Sequence, residues 1–443
     1  MYIKKIDVKH VKTLNSFVWE LLPGEMAPGW HILLGDNGAG KSTFLKACSI
    51  ALLGPKNALG LRLPFSEWIT YGQSEARISL VIDQDYRHDQ WTGAGNTKTG
   101  SLRFGVKIDE RSDVVAIENT PSPSRHVWGG AGWFSASFGP FRRFSGGSKE
   151  YEKLFYSMPK LASHLSIFGE DVALSETLTW LREKHYEQLD EEKRSGSPSL
   201  AKSFLRSLIL FINQDDFLPN GARLEEIGPK GVIFRDPSGS EIEINSLSDG
   251  YRSILSMTLE LVRQLQITYG SASIFSEDST KIAVPAVVLV DEIDVHLHPK
   301  WQRVVGPWLT AHFPYVQFIV STHSPLVCQG AIKGTITRLP TPGTDEAGGR
   351  VTGSALYKLL YGDVLDALGS GVFGEGIERS DIAQEMMNEL AKLNIKNRRN
   401  TLDHDEADRR EELSEKLGIA AITDTGIEIP PSSEPISGEG KNA

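Results

Sequence analysis

The chain has 443 residues, 40% of them hydrophobic and 23% charged, with a net charge of −10. That length allows two or three domains, and the composition suits a globular protein with a substantial core. The acidic balance argues against a general basic coat for nucleic acid, though it leaves room for a local basic patch. Two cysteines, Cys48 and Cys328, are too few for a disulfide framework and point to a reduced, cytoplasmic setting. Residues 1–8 alternate like a strand, without the apolar stretch of a signal peptide, and no apolar run approaches the roughly 20 residues that cross a bilayer. The expectation is a cytoplasmic protein without a membrane partner.

No internal repeat is visible. Residues 1–145 read mostly as short strands with turns, Trp30–Leu34 and Ala76–Ile82 being rich in β-formers. The stretches 93–101 and 120–124 are Gly- or Pro-marked loops. Leu154, Met158, Leu161 and Leu165 recur at helical spacing, as do Leu178, Leu181, His185 and Leu189. A break at 195–198 precedes a third helix, Leu200–Ile212. Residues 230–245 return to strand around a turn at Asp236–Gly239, and a helix runs from Ser248 to about Ile267. Val284–Val290 is a continuous apolar run, as in a strand buried on both faces. A helix from about Pro299 and a strand Val316–Ser321 follow. Asp403–Lys416 reads as a charged, solvated helix and 424–443 as a disordered tail.

Gly35-Asp36-Asn37-Gly38-Ala39-Gly40-Lys41-Ser42 fits the phosphate-loop pattern G-x-x-x-x-G-K-[ST] in full, between an apolar strand and an apolar helix that opens Ser42-Thr43. Its glycines let backbone N–H groups crowd around phosphates, and the helix N-terminus adds partial positive charge. Lys41 is expected on the β- and γ-phosphates of ATP and Ser42 on Mg²⁺. Asp291 and Glu292 end the apolar run, at the edge where open α/β sheets bind ligands. Asp291 is the second expected Mg²⁺ ligand, and Glu292 the base that deprotonates the attacking water. His323, at the tip of the next strand, is placed to touch a γ-phosphate. Ser248-Asp249-Gly250 opens a helix, with Ser248 a natural N-cap and Gly250 leaving room for a phosphate. His296 and His298 invite a zinc reading, but they stand two apart without the Cys or distant His spacing of zinc sites.

These four motifs, in this order, resemble the ABC-type ATPases of the SMC/RecF/OLD branch, often labelled AAA-family ATPases in prokaryotes. The match covers about residues 1–50 and 240–330, and the run Asp291–Gln302 with Ser321–Pro325 is specific to that branch. The resemblance implies an α/β fold: an ABC-type P-loop NTPase core with a mixed central sheet, an N-terminal antiparallel β region and an inserted helical lobe. It implies a head-to-tail dimer, or a higher oligomer, in which each ATP is shared between one chain's phosphate loop and the other's Ser248–Gly250, with Asp294 in the dimer-contacting loop. Asp249 departs from the glycine of transporter signatures and is similar to defence-type members. Phe138–Arg143 occupies the linking loop but lacks the family's usual Gln.

The expected organisation is an ATPase half-lobe at 1–149, a helical lobe at 150–229, a second half-lobe at 230–340, a C-terminal helical region at 341–423 and the tail. The insert is too short for long coiled-coil arms. Asp403-His404-Asp405-Glu406 has the residue types of a nuclease site but no preceding apolar strand. The reading is therefore an ATPase without its own effector, similar to the ATPase component of Septu- or retron-type anti-phage systems, with a separate nuclease or toxic effector as partner. The alternatives are a RecF-like repair ATPase acting on DNA and, less well matched, an ABC transporter subunit. Arg142, Arg143 and Lys149 form a local basic cluster suited to DNA phosphates or to surface ion pairs.

Overall fold

The computed structural model describes residues 1–85, 87–89, 101–109, 114–117, 124–129, 132–142, 157–169, 176–195, 199–214, 217–218, 221–229, 231–270, 274–344, 347–373 and 380–417. Arg143, Lys149, Leu154, most of the loops at 93–101 and 120–124, residues 196–198 and the 424–443 tail lie outside the described residues. The chain separates into two compact units, Met1–Glu375 and Gly376–Ala443.

The first unit begins with β1 (Tyr2–Val11), β2 (Leu14–Glu20), β3 (Gly29–Leu34), α1 (Lys41–Ala58), β4 (Glu75–Asp83), β5 (Leu102–Asp109), β6 (Val114–Ile117) and β7 (Ser135–Phe138). Helices α2 (Pro159–Leu165), α3 (Glu176–Ser195) and α4 (Leu200–Ile212) follow, then β8 (Arg223–Gly228), β9 (Gly231–Arg235) and β10 (Glu241–Glu243). The unit continues through α5 (Asp249–Tyr269), β11 (Ala286–Val290), α6 (Pro299–His312), β12 (Val316–Ser321), β13 (Gly334–Arg338), β14 (Gly349–Arg350), α7 (Gly353–Tyr361) and α8 (Val364–Leu368).

The central sheet has the order β14-β13-β3-β12-β11-β7. It is parallel except for β14, so it is mixed. Its strands are apolar throughout because both faces are covered. Ile32, Leu34, Val288, Val290, Phe318 and Val320 enter one core, while Leu33, Val287, Leu289 and Ile319 enter the other. This is the period-2 alternation of a strand, with both outcomes dry. Helix α1 fills the second core and α5 the first.

An antiparallel sheet, β2-β1-β4-β5-β6, accompanies it. In β1 one side alone is buried, through Ile3, Ile6, Val8 and Val11. The buried Gln317 amide of β12 ties the two sheets. Its Oε1 accepts from the Ile3 N–H at 2.7 Å, and its Nε2 donates to the Ile3 carbonyl at 2.8 Å. Helices α3 and α4 pack with the small sheet β10-β9-β8, and Trp180 stands edge-on to Phe204 at 5.5 Å. Glu260 of α5, 2% exposed, is held there by Thr177 Oγ1 at 2.5 Å, the Arg263 guanidinium at 2.7 Å and Gln264 Nε2 at 2.6 Å.

In the second unit, α9 (Asp381–Arg398) and α10 (His404–Lys416) meet through Leu390, Leu393 and Leu413. The acidic run before α10 has a local role. Asp403 caps the helix by accepting from the Glu406 N–H at 2.8 Å, and Glu406 returns the contact to the Asp403 N–H. Among the described residues, no group of three His, Cys, Asp or Glu side chains is arranged to hold a metal, and no helix is long and apolar enough to cross a membrane.

Two histidines are buried as neutral rings. His31 Nε2 donates to the Ala27 carbonyl at 2.8 Å, and Nδ1 takes the Thr335 hydroxyl at 3.0 Å. His164 lies between Ser135 and Ser137, and Ser137 also meets Ser49 of α1 at 2.6 Å. Burial pushes His31 down to about 4 and His164 down to about 3. An unfolded histidine binds protons below about 6.5, whereas these do not, so their contribution is intact above that pH and lost as pH falls towards 4. Each is expected to cost roughly 2 kcal/mol of stability at pH 5. Denaturant unfolding at pH 7 and pH 5 checks this, since His31→Gln must show a smaller drop than the parent.

Candidate nucleotide site

The phosphate loop joins β3 to α1, and its backbone explains its glycines. Gly38 and Gly40 have φ of +79° and +93°, in the left-handed region that favours glycine. Gly40 is the N-cap of α1 without a side-chain cap, so the first N–H groups of the helix have no side-chain acceptor from that residue. Lys41 is folded onto its own loop, donating to the Gly35 carbonyl at 2.7 Å and the Asp36 carbonyl at 3.1 Å. Burial lowers its pKa, against the pull of Asp291, Glu292, Asp36 and Asp294. Ser42 and Thr43 follow in the first turn of α1.

Asp291 and Glu292 leave the end of β11. Asp291 is 2% exposed and its N–H donates to the Phe138 carbonyl at 2.8 Å. One hydroxyl serves both acids. Ser321 Oγ donates to Asp291 Oδ1 at 2.5 Å and accepts from the Glu292 N–H at 2.8 Å. Glu292 has a φ of +46°, uncommon for a residue with a side chain. Thr322 Oγ1 donates to Asp294 Oδ1 at 2.6 Å. His323 follows, in a cavity of about 200 Å³ that it shares with Gly35, Asp36, Asn37, Val372 and Phe373. Burial, then the nearby Lys41 ammonium, lowers its pKa and favours a neutral ring. The parallel sheet thus brings the ends of β3, β12 and β11 to one edge, with the phosphate loop, His323 and the acidic pair on them.

Ser248, Asp249 and Gly250 line a different cleft, of about 580 Å³, with Tyr251, His296, Leu297, His298 and Trp301. Ser248 occupies the N-cap position of α5, but its side chain makes no capping hydrogen bond. The packing gives a reason for Gly250: a Cβ there would lie 2.6 Å from the His296 carbonyl oxygen. His298 is engaged locally, its Nδ1 accepting from the Lys300 N–H at 3.2 Å as the cap of α6, while His296 is exposed.

The sequence reading missed three contributors. Ser321 and Thr322 sit beside His323 in the sequence, but the carboxylates they hold lie on the neighbouring strand. Arg142 is expected in a local basic cluster, facing DNA phosphates or surface ion pairs, and within the linking loop 138–143. It is 4% exposed, and its guanidinium bonds to the carbonyls of Gly139, Asp291, Glu292 and Ile293 and to the Ser253 hydroxyl. It is therefore unavailable to DNA phosphates.

The donor types at Ser42 and Asp291 suit Mg²⁺, a hard cation that takes few protein oxygens and completes its shell with phosphate and water. When bound, the ion would supply charge neutralisation at the phosphates.

Fold and site together define an α/β P-loop nucleotide-binding protein. Residues 108–329, half of the chain, match the family described as "AAA domain, putative AbiEii toxin, Type IV TA system", and the chain belongs to that family. It is 23% identical over 352 residues to the Septu protein PtuA of Bacillus mycoides (strain KBAB4), covering 76% of this chain and 40% of the relative. It is 42% identical over 90 residues to the Retron Vc95 probable ATPase of Vibrio cholerae serotype O1 biovar El Tor, covering 20% of this chain and 16% of that one. The chain spans less than half the length of these curated relatives. Among solved structures, it is similar to an SMC head bound to the C-winged helix domain of ScpA, with a TM-score of 0.46 and 16% identity over 79% of this chain and 97% of that chain.

Gly250→Ala tests the packing of α5 against the His296 loop. With a Cβ 2.6 Å from a carbonyl oxygen, overpacking is expected to cost roughly 1–3 kcal/mol. Denaturant unfolding reads it, and an unchanged midpoint would refute the close approach.

Proposed function

We propose that the chain is an ATP-hydrolysing dimeric switch, the ATPase component of a prokaryotic anti-phage defence complex that controls a separate nuclease or toxic effector. One observation carries the composite site: the phosphate loop and His323 share one cleft, whereas Ser248–Gly250 of the same chain line another. A head-to-tail pair brings the second cleft of each chain to the first cleft of its partner. The similarity to proteins named Septu PtuA and retron ATPases supports the defence reading.

In this reading Lys41 exchanges its loop carbonyls for the β- and γ-phosphates. Ser42 and Asp291 hold Mg²⁺. Glu292 takes a proton from water, whose oxygen bonds to the γ-phosphorus as the bond to the β–γ bridging oxygen breaks, releasing ADP and phosphate. Neutral His323 hydrogen-bonds the γ-phosphate. The Ser248 hydroxyl and Gly250 N–H of the second chain stabilise the developing charge. ATP closes the dimer and hydrolysis opens it, holding or releasing the effector.

Glu292→Gln is expected to bind ATP like the parent and to hydrolyse it about 10²-fold or more slowly, the scale of a lost general base. ATP should then trap a dimer, visible by light scattering. Hydrolysis at the parental rate would assign the base elsewhere. Lys41→Ala should lose tight ATP binding by calorimetry.

The trans arrangement is tested by mixing two inactive proteins. Ser248→Arg crowds the γ-phosphate held by the other chain, and Lys41→Ala disables its own loop, yet a mixed dimer retains one whole composite site. Mixing should restore ATPase activity in a concentration-dependent way. Normal hydrolysis by Ser248→Arg alone, with a parent that stays monomeric in ATP, would overturn the composite site.

A further inference from the structure

Arg142 stands in the segment after β7, whose last residue, Phe138, is paired with Val290 of β11. Among the described residues, every group that accepts a hydrogen bond from it is neutral. Nη1 donates to the carbonyls of Gly139 at 2.8 Å and Asp291 at 3.0 Å. Nη2 donates to those of Glu292 at 3.2 Å and Ile293 at 3.4 Å. Nε donates to Ser253 Oγ at 3.0 Å. A guanidinium has five N–H donors in a rigid fork, and five acceptors meet them here. Burial pushes Arg142 down to about 10, opposed by the charges of Asp291, Asp294 and Glu292, so it is charged at neutral pH.

We infer that Arg142 is a positioning residue that fixes the Glu292 backbone for hydrolysis and couples it to the helix beginning at Ser248. The inference rests on the ATPase reading above. Two features carry it. First, Glu292 has a φ of +46° and is restrained on both sides: Ser321 Oγ accepts its N–H, and Arg142 holds its carbonyl and the next one. Such a conformation persists where its surroundings over-determine it. Release of the two carbonyls lets the peptide relax and swings the carboxylate away from the attacking water. Second, Ser253 lies one turn beyond Gly250 on α5. The same guanidinium therefore links the first turns of α5 to the end of β11. In the dimer, α5 serves one composite site and Glu292 the other, so Arg142 connects the two sites through a single chain.

The test compares full-length parent, Arg142→Lys, Ser253→Ala and the double variant, measuring Mg²⁺-ATP affinity, kcat and KM. Lysine keeps the charge but lacks the planar fork. Arg142→Lys is expected to lower kcat by roughly 10- to 10²-fold, the scale of an ångström-level misplacement, with ATP affinity within about threefold of the parent. Ser253→Ala should lower kcat by a smaller factor, and the double variant should fall no further than Arg142→Lys, because both changes act on one link. Hydrogen exchange at 291–297 should quicken in Arg142→Lys, with the rest of the chain protected as in the parent. Parental kcat in Arg142→Lys, or affinity and kcat lost in proportion, overturns the inference while leaving the ATPase reading standing. If Arg142→Lys does not fold, parental kcat in Ser253→Ala overturns the coupling. A parent that neither binds nor hydrolyses ATP overturns the ATPase reading, and this inference with it.

Discussion

Strand β12 lies between β3 and β11 and is parallel to both. Everything at the nucleotide site depends on that placement. Neighbouring strands are about 4.8 Å apart, so the phosphate loop after β3 and the acids after β11 are separated by only about 10 Å, with Ser321–His323 between them. Parallel pairing also points the three strand ends the same way. Covering both faces with apolar residues makes this edge rigid, because neither face can exchange its side chains with water.

The strand ends carry polar groups into that dry setting, and each is held by a partner from another element. Ser321 serves both Asp291 and Glu292, Thr322 holds Asp294, and Arg142 gathers the carbonyls that follow β11. A buried polar group without a partner costs roughly 1–3 kcal/mol, more if charged. The network therefore restrains the acidic loop through the expense of its alternatives. It also lets Glu292 keep a left-handed backbone that an isolated peptide would leave.

Gly250 joins two segments distant in the chain. At the start of α5 it sits against the His296 carbonyl, where a Cβ would not fit. The helix start and the loop after the acidic pair are packed as one piece, with the Trp301 indole bonded to Tyr251 at 2.8 Å behind them. Movement of that loop is therefore movement of the signature cleft.

The sequence by itself determined the parts whose signals are local. The phosphate loop, the buried strand before Asp291 and the helices at 176–195 and 200–212 follow from spacing, apolar runs and turn residues within one window. So does the simpler reading of Asp403–Glu406, which proves to be a helix cap. The three-dimensional structure decided what depends on residues far apart in the chain. Arg142 reads in the sequence as one of a local set of basic residues, but it points inward to Ser253 and to carbonyls 149 to 151 residues away. Backbone carbonyls have no sequence signature, so no motif search finds such a partner. The left-handed φ of Glu292 and the separation of Ser248–Gly250 from the phosphate loop of the same chain are likewise products of strand order, which only the packed sheet specifies.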